Sequence, residues 1–288
     1  MKKLLLIIML LLCVAGCGKK KQDNGQLSVT ASFYPIAEFT NAVGGDNVDV
    51  YTLVPDGVEP HDWEPSPRDF TRLGRSKLFF YNGMVESWAE KAITTLSDTN
   101  IKGVELGKGL YNINGNNDPH VWISPQKAII ETNRIVDALS QNDPKNADAY
   151  KKRGEEYCQK LKKLDADLKA IVKQSPKKKF VTSHAAFGHL AKDYGLEQLA
   201  IAGISPEAEP TPADMKNLVE LVKKENVKFV FMETLTSPKL AQLIAKETGA
   251  EVLVLDPIEG LDEEGRKEKL TYIKLMEANI KNLAKALK

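Results

Sequence analysis

From Leu27 onward, short apolar runs alternate with stretches whose apolar residues recur every three to four positions. "LSVTASF", "VDVYTLVP" and "LFFYNG" are brief, rich in Val, Leu and Phe, and bounded by turn residues, so they predict strands, the first of them buried. "PIAEFTNAVGG" predicts a helix closed by glycine. Ser66-Pro67-Arg68-Asp69 predicts a helix start, with serine as the cap and proline at the first helical position. After Asp143-Pro144 the period changes. Tyr157, Leu161, Leu164, Leu168 and Ile171 mark one face of a helix that meets no proline before Pro176. About thirty residues at about 1.5 Å each make a rod of about 45 Å. The alternation then resumes with the strands "KKFVTS", "VKFVFMET" and "EVLVLD". The helices "AAFGHLAKDYG" and "TPADMKNLVELVKKEN", and a last one carrying Leu270, Ile273, Met276, Ile280 and Leu283, lie between and after them. The fold class is therefore α/β: two lobes, each a mainly parallel sheet flanked by helices, joined by one long spine helix. The lobes are expected at 27–142 and 176–288, and the spine at 143–175.

The first residues follow a different logic. "MKKLLLIIMLLLCVAGC" has a basic start, an apolar run from Leu4 to Val14 and small residues before Cys17. The run is short for a bilayer span and has the flanks of a signal peptide. "VAGC" resembles the lipobox of bacterial lipoproteins, which makes 1–17 a lipoprotein signal and Cys17 the lipidated first mature residue. Residues 18–26 are polar and without period, as a flexible tether would be. Lipidation places the protein at the cell membrane, anchored on its extracytoplasmic face.

Composition narrows the class further. Of three cysteines, Cys13 leaves with the signal and Cys17 takes lipid, so Cys158 has no internal disulfide partner. Without Lys2 and Lys3 the mature chain carries 38 basic and 39 acidic residues, near neutrality, with no basic stripe for nucleic acid.

Chemistry concentrates at the histidines, of which there are four. His61, His120 and His184 each follow an apolar run or open a loop just before a helix, where α/β folds gather ligand-binding loops. They are separated by 59 and 64 positions, so no local metal motif links them, and each alone reads as an ordinary structural histidine. Together, "EPHDWEPSP", "DPHVWISP", "SHAAFGHLAKDYGL" and "LDPIEGL" resemble the metal-binding lipoproteins of bacterial ABC importers for zinc and manganese, over about Leu27 to Lys288.

That resemblance implies a metal held in the cleft between the lobes, with His61, His120 and His184 as ligands and a carboxylate of the last motif as the fourth. Asp256 and Glu259 are nearly even candidates, with a lean to Glu259, and the other would orient a histidine N–H. Glu59 is expected to be solvated or hydrogen-bonded beside the His61 loop rather than a ligand, Glu233 to support the site from outside, and His189 to be structural. Proline beside His61 and His120, and Trp63 and Trp122 nearby, would pre-organise the two imidazoles.

Three imidazoles and a carboxylate suit Zn(II) as the transported ion better than Mn(II), which favours more oxygen. Manganese-binding relatives also tend to carry a carboxylate where this chain has His184. The segment "KGLYNINGNND" lacks the histidine-rich loop of many zinc-binding relatives. The implied partner is an ABC importer membrane permease, and a monomer is expected. A zinc hydrolase is the enzyme alternative, disfavoured because no nucleophile or general-base motif accompanies the histidines. A surface adhesin with a structural metal is the other alternative.

Overall fold

The computed structural model describes residues 25–206 and 210–288; the expected signal, Cys17 and most of the tether lie outside them. The first sheet contains β1 (Leu27–Ala31), β2 (Val48–Thr52), β3 (Leu78–Tyr81) and β4 (Lys102–Glu105), all parallel, in the order β2-β1-β3-β4. Its helices are α1 (Tyr34–Gly44), α2 (Pro67–Leu73) and α3 (Ala89–Thr95). A hairpin of β5 (Asn112–Ile113) and β6 (Asn116–Asn117) follows, then α4 (Pro125–Asn142). The spine is α5 (Ala147–Gln174), entered through a 3-10 turn at Pro144–Asn146. Beyond it come β7 (Lys179–Thr182), α6 (Gly188–Tyr194), β8 (Glu197–Ala200), α7 (Pro212–Lys224), β9 (Phe229–Met232), α8 (Lys239–Thr248) and β10 (Glu251–Val254). The second sheet is also parallel, in the order β10-β9-β7-β8. Two helices close the chain, α9 (Glu263–Lys267) and α10 (Tyr272–Ala286).

The two sheets share one winding. In each, the first strand lies between the second and the third, which creates a crevice beyond the carboxyl ends of the first and third strands. Parallel strands covered on both faces need apolar residues on both. In β3, Leu78 and Phe80 enter one core while Phe79 and Tyr81 enter another on the opposite face.

The chain crosses between sheets once, through α5. Tyr150, Tyr157, Leu161, Leu164, Leu168 and Val172 are buried along it, while Ile171 only packs against the core edge. At 28 residues it measures about 42 Å, a turn shorter at its start than expected because Pro144 opens a 3-10 turn. The two lobes do not have wholly separate cores. Val29 and Phe80 of the first sheet, Leu161 of the spine, and Phe180 and Phe231 of the second belong to one continuous cluster.

Polar contacts stitch the same boundary. Ser66 forms the expected capping box with Asp69, but the Ser124 hydroxyl at the start of α4 donates instead to Asp193 on α6, 2.6 Å away. Lys127 pairs with the same carboxylate. Gln126 of α4 and Tyr194 of α6 both donate to Asp165 on the spine, at 3.0 and 2.8 Å. No helix among the described residues is long and apolar enough to cross a membrane.

Candidate metal centre

Four side chains converge beyond the carboxyl ends of the two sheets. His61, His120, His184 and Glu259 each offer one ligand atom, and these atoms all lie within 4.8 Å of one another. His61 Nε2 is 3.0 Å from His120 Nε2 and 3.2 Å from Glu259 Oε1. Glu259 Oε1 is 3.3 Å from His120 Nε2 and 3.8 Å from His184 Nε2. A tetrahedral ion with bonds of 2.0–2.1 Å has edges of about 3.3 Å, which the three separations among His61, His120 and Glu259 match, while His184 stands slightly farther out.

Each ligand is held by a different local device. His61 sits on the loop between β2 and α2, where Glu59 Oε1 accepts its backbone N–H at 3.1 Å. Its ring faces those of His120 and His184, at 5.0 and 6.2 Å. Trp63 packs edge-on against Trp88, and among the ring contacts of the described residues His61 pairs with His120 and His184 rather than with Trp63. His120 precedes a 3-10 turn at Val121–Ile123. Asp118 Oδ1 accepts both its backbone N–H, at 2.9 Å, and its Nδ1–H, at 2.7 Å. Asn82, at the end of β3, donates to the carbonyl of the intervening Pro119 at 3.2 Å. Trp122 does pack beside His120, with ring centres 5.3 Å apart. Its indole N–H reaches the Pro257 carbonyl at 2.8 Å, tying the His120 turn to the loop that carries Glu259.

His184 follows β7. Glu233, following β9, accepts the His184 backbone N–H at 2.9 Å and Nδ1–H at 2.6 Å, so this pair stands at the crevice of the second sheet. Ionised carboxylates only accept hydrogen bonds. Asp118 and Glu233 therefore each hold a proton on Nδ1, which makes Nε2 the atom that faces the cluster and that a metal would take as ligand. His184 Nε2 and Glu259 Oε2 are buried and have no hydrogen-bond partner among the described residues.

Electrostatics agree with this geometry. Burial disfavours charge on Glu259, but hydrogen bonds from His120 and His61 outweigh it and hold the carboxyl far below its usual range. Burial likewise works against charge on His120, yet its bonds to Asp118 and Glu259 raise the imidazole to about 9. Asp118 is held below its usual range because its bonds to His120 overcome its own burial. Glu59 is pushed upward by burial and by neighbouring Glu259. Its Oε2 is buried without a hydrogen-bond partner among the described residues.

Asp256 lies outside the cluster. Its Oδ1 accepts the Ile258 N–H at 2.7 Å, while Asn279 clamps its backbone N–H and carbonyl, at 2.8 and 2.7 Å. Ile258 has φ +58°, rare for a β-branched residue, and the Asp256 side chain closes this turn. Asp256 thus shapes the loop that presents Glu259. His189 has a structural contact of the kind expected: its Nε2–H donates to the Asp118 carbonyl at 2.9 Å. Sequence reading did not single out Asp118 or Asn82. The "DPH" spacing, a carboxylate two positions before a histidine, was the available signal for the first; nothing marked the second.

The family description "Zinc-uptake complex component A periplasmic" matches residues 29–286. The high-affinity zinc uptake system protein ZnuA of Bacillus subtilis is 37% identical over 300 residues, 96% of this chain and 94% of that protein. The zinc-binding lipoprotein AdcA of Streptococcus pneumoniae is 37% identical over 303 residues; this covers 98% of the chain but 60% of AdcA, a longer protein. The crystal structure of the Zn(II)-bound ZnuA-like domain of that AdcA superposes with a TM-score of 0.83 at 39% identity, covering 91% of this chain and 99% of the domain. With its sequence matched almost from end to end and its two-lobed fold shared, the chain belongs to the zinc-uptake complex component A family.

Proposed function

We propose that the protein captures Zn(II) between its lobes through His61, His120, His184 and Glu259 and delivers it to the membrane permease of an ABC importer. The observation that carries this reading is the state of His184. Its Nδ1–H is committed to Glu233, and its buried Nε2 faces Glu259 Oε1 with no hydrogen-bond partner among the described residues. A bare lone pair in a dry site is costly, and a cation bound there would offset the cost.

The donor set favours zinc over manganese. Three neutral imidazoles and one carboxylate oxygen suit a borderline ion in tetrahedral geometry, whereas manganese prefers more oxygen. All four positions are supplied by protein, so none stays open for an activated water, which supports transport rather than hydrolysis. The same reading has the chain divide at 27–142, 143–175 and 176–288, and act as a monomer. Lipid on Cys17 would anchor it outside the membrane, where it meets the permease.

Metal-free protein without a histidine tag, titrated with Zn(II) against a chelator, tests the site. Alanine at His61, His120, His184 or Glu259 is expected to weaken zinc binding severely. Parent-like binding by any two of these variants would sink the four-ligand reading. Stronger competition by Mn(II) than by Zn(II) would overturn the choice of metal.

A further inference from the structure

His120 belongs to the first lobe, yet what holds it in place comes partly from the second. Asp118 Oδ1 takes both hydrogen bonds from His120. The other oxygen, Oδ2, rests against Gly188, the first residue of α6, where a Cβ would collide with it. The neighbouring His189 donates Nε2–H to the Asp118 backbone carbonyl at 2.9 Å. Asp118 is therefore gripped at both ends, with its carboxylate seated on a glycine and its carbonyl held by an imidazole. Helix α6 is itself fixed to the first lobe by Asp193, which binds Ser124 and Lys127. His184 lies four positions before Gly188 on the same segment.

We propose that Gly188 and His189 are positioning residues for His120, acting across the lobe boundary through Asp118. The proposal rests on the reading of His120 as a zinc ligand. A side chain at 188 would displace Oδ2, and because Oδ1 is tied twice to His120, the carboxylate cannot turn aside without rotating the imidazole or breaking its bond. Loss of the donor at 189 frees the Asp118 backbone and loosens the same turn. In either case the lone pair of His120 Nε2 leaves the point where the other three ligand atoms meet. Placing His120 before the metal arrives lowers the cost of ordering it on binding.

The test measures zinc affinity by chelator competition and the melting temperature of the metal-free protein in one set of variants. His189→Leu and Gly188→Ala are each expected to weaken zinc binding about 10-fold or more, the range seen for outer partners of histidine ligands. His189→Gln, whose terminal amide can still donate to the Asp118 carbonyl, is expected to recover most of that loss. In an Asp118→Ala background, Gly188→Ala should cost little further, because the carboxylate it displaces is gone and the remaining close neighbour, Ile113 Cδ1 at 3.1 Å, is the far end of a flexible side chain. Parent-like affinity in both His189→Leu and Gly188→Ala overturns the proposal, as does a fully additive loss with Asp118→Ala. If Gly188→Ala lowers the melting temperature so far that binding cannot be read, the His189→Leu and His189→Gln pair decides. His120→Ala separates the two readings: if it binds zinc like the parent, the ligand assignment fails, whatever happens at 188 and 189.

Discussion

Glu233 holds His184 twice, accepting the backbone N–H through Oε1 at 2.9 Å and the ring Nδ1–H through Oε2 at 2.6 Å. A glutamine at 233 has the same shape but only one accepting oxygen. If that oxygen serves the backbone, the amide NH₂ faces Nδ1 and drives the ring proton to Nε2, the ligand atom. If it serves the ring, the NH₂ confronts the backbone N–H. Glu233→Gln should therefore lose about 10–100-fold in zinc affinity. Chelator competition showing parent-like affinity would mean that Glu233 does not set the tautomer.

Zinc binding should expel protons, and the pH window follows from His120. Its imidazole in the metal-free fold is raised to about 9 from an unfolded value of about 6.5. At pH 7.5 the metal must displace a proton from it, whereas well above pH 9 there is none to displace. Because the folded value is the raised one, the stability His120 contributes to the metal-free protein is fully present below about pH 6.5 and is lost as pH rises through about 9. Calorimetry in buffers of different ionisation enthalpy should find proton release at pH 7.5 that fades toward pH 10. Release unchanged across that range would exclude His120 as its source.

Glu131 on α4 is a buried carboxyl with neither oxygen hydrogen-bonded among the described residues. Burial raises it to about 8, against the partial opposition of Arg134. The fold therefore favours the neutral acid, and stability drains away as pH climbs from about 4.3, the unfolded value, toward about 8. Glu131→Gln imitates the neutral form. Relative to the parent, its melting temperature should rise more at pH 8 than at pH 5, and an equal shift at both would refute the account.

Lys269, exposed at the end of α9, sits at φ +52°, where a side chain is strained and glycine is not. Its own N–H reaches the Arg266 carbonyl at 3.2 Å, closing the helix end, and that bond does not need a side chain. Lys269→Gly should relieve about 1 kcal/mol of left-handed strain, less what glycine gives back as chain entropy. A small rise in melting temperature with zinc affinity unchanged is expected. A fall would show that the lysine side chain contributes more than its backbone costs.

What the sequence disclosed depended on burial. Central strands such as "LFFYNG" and "VKFVFMET" are covered on both faces and announce themselves as apolar runs. Of the four edge strands, β2 and β10 keep enough apolar residues to be read, whereas β4, "KGVE", and β8, "EQLA", were not foreseen, because an edge with one open flank tolerates polar residues. "AAFGHLAKDYG" suggested a helix from Ala185, but α6 begins at Gly188; the Ala185 N–H goes to the Gly203 carbonyl, so the preceding residues stay as loop and carry His184. The three histidines and Glu259 could be proposed because their motifs travel together. Of their supports, Glu233 could be named at a strand end and Asp118 was signalled by its place two residues before His120, but Asn82 and Gly188 carry no local mark and reach the His120 turn only through the fold.

The single cluster that runs from Val29 through Leu161 to Phe231 also bears on dissection of the protein. A chain cut in the link between α5 and β7 would yield two fragments, one ending in the spine and the other starting at the second sheet. Each would present to water the apolar face that the other covers in the intact molecule. Such fragments are expected to aggregate when expressed alone and to recover solubility when expressed together, by finding each other rather than by folding independently. The halves look like modules in sequence, but each is the other's missing solvent shield.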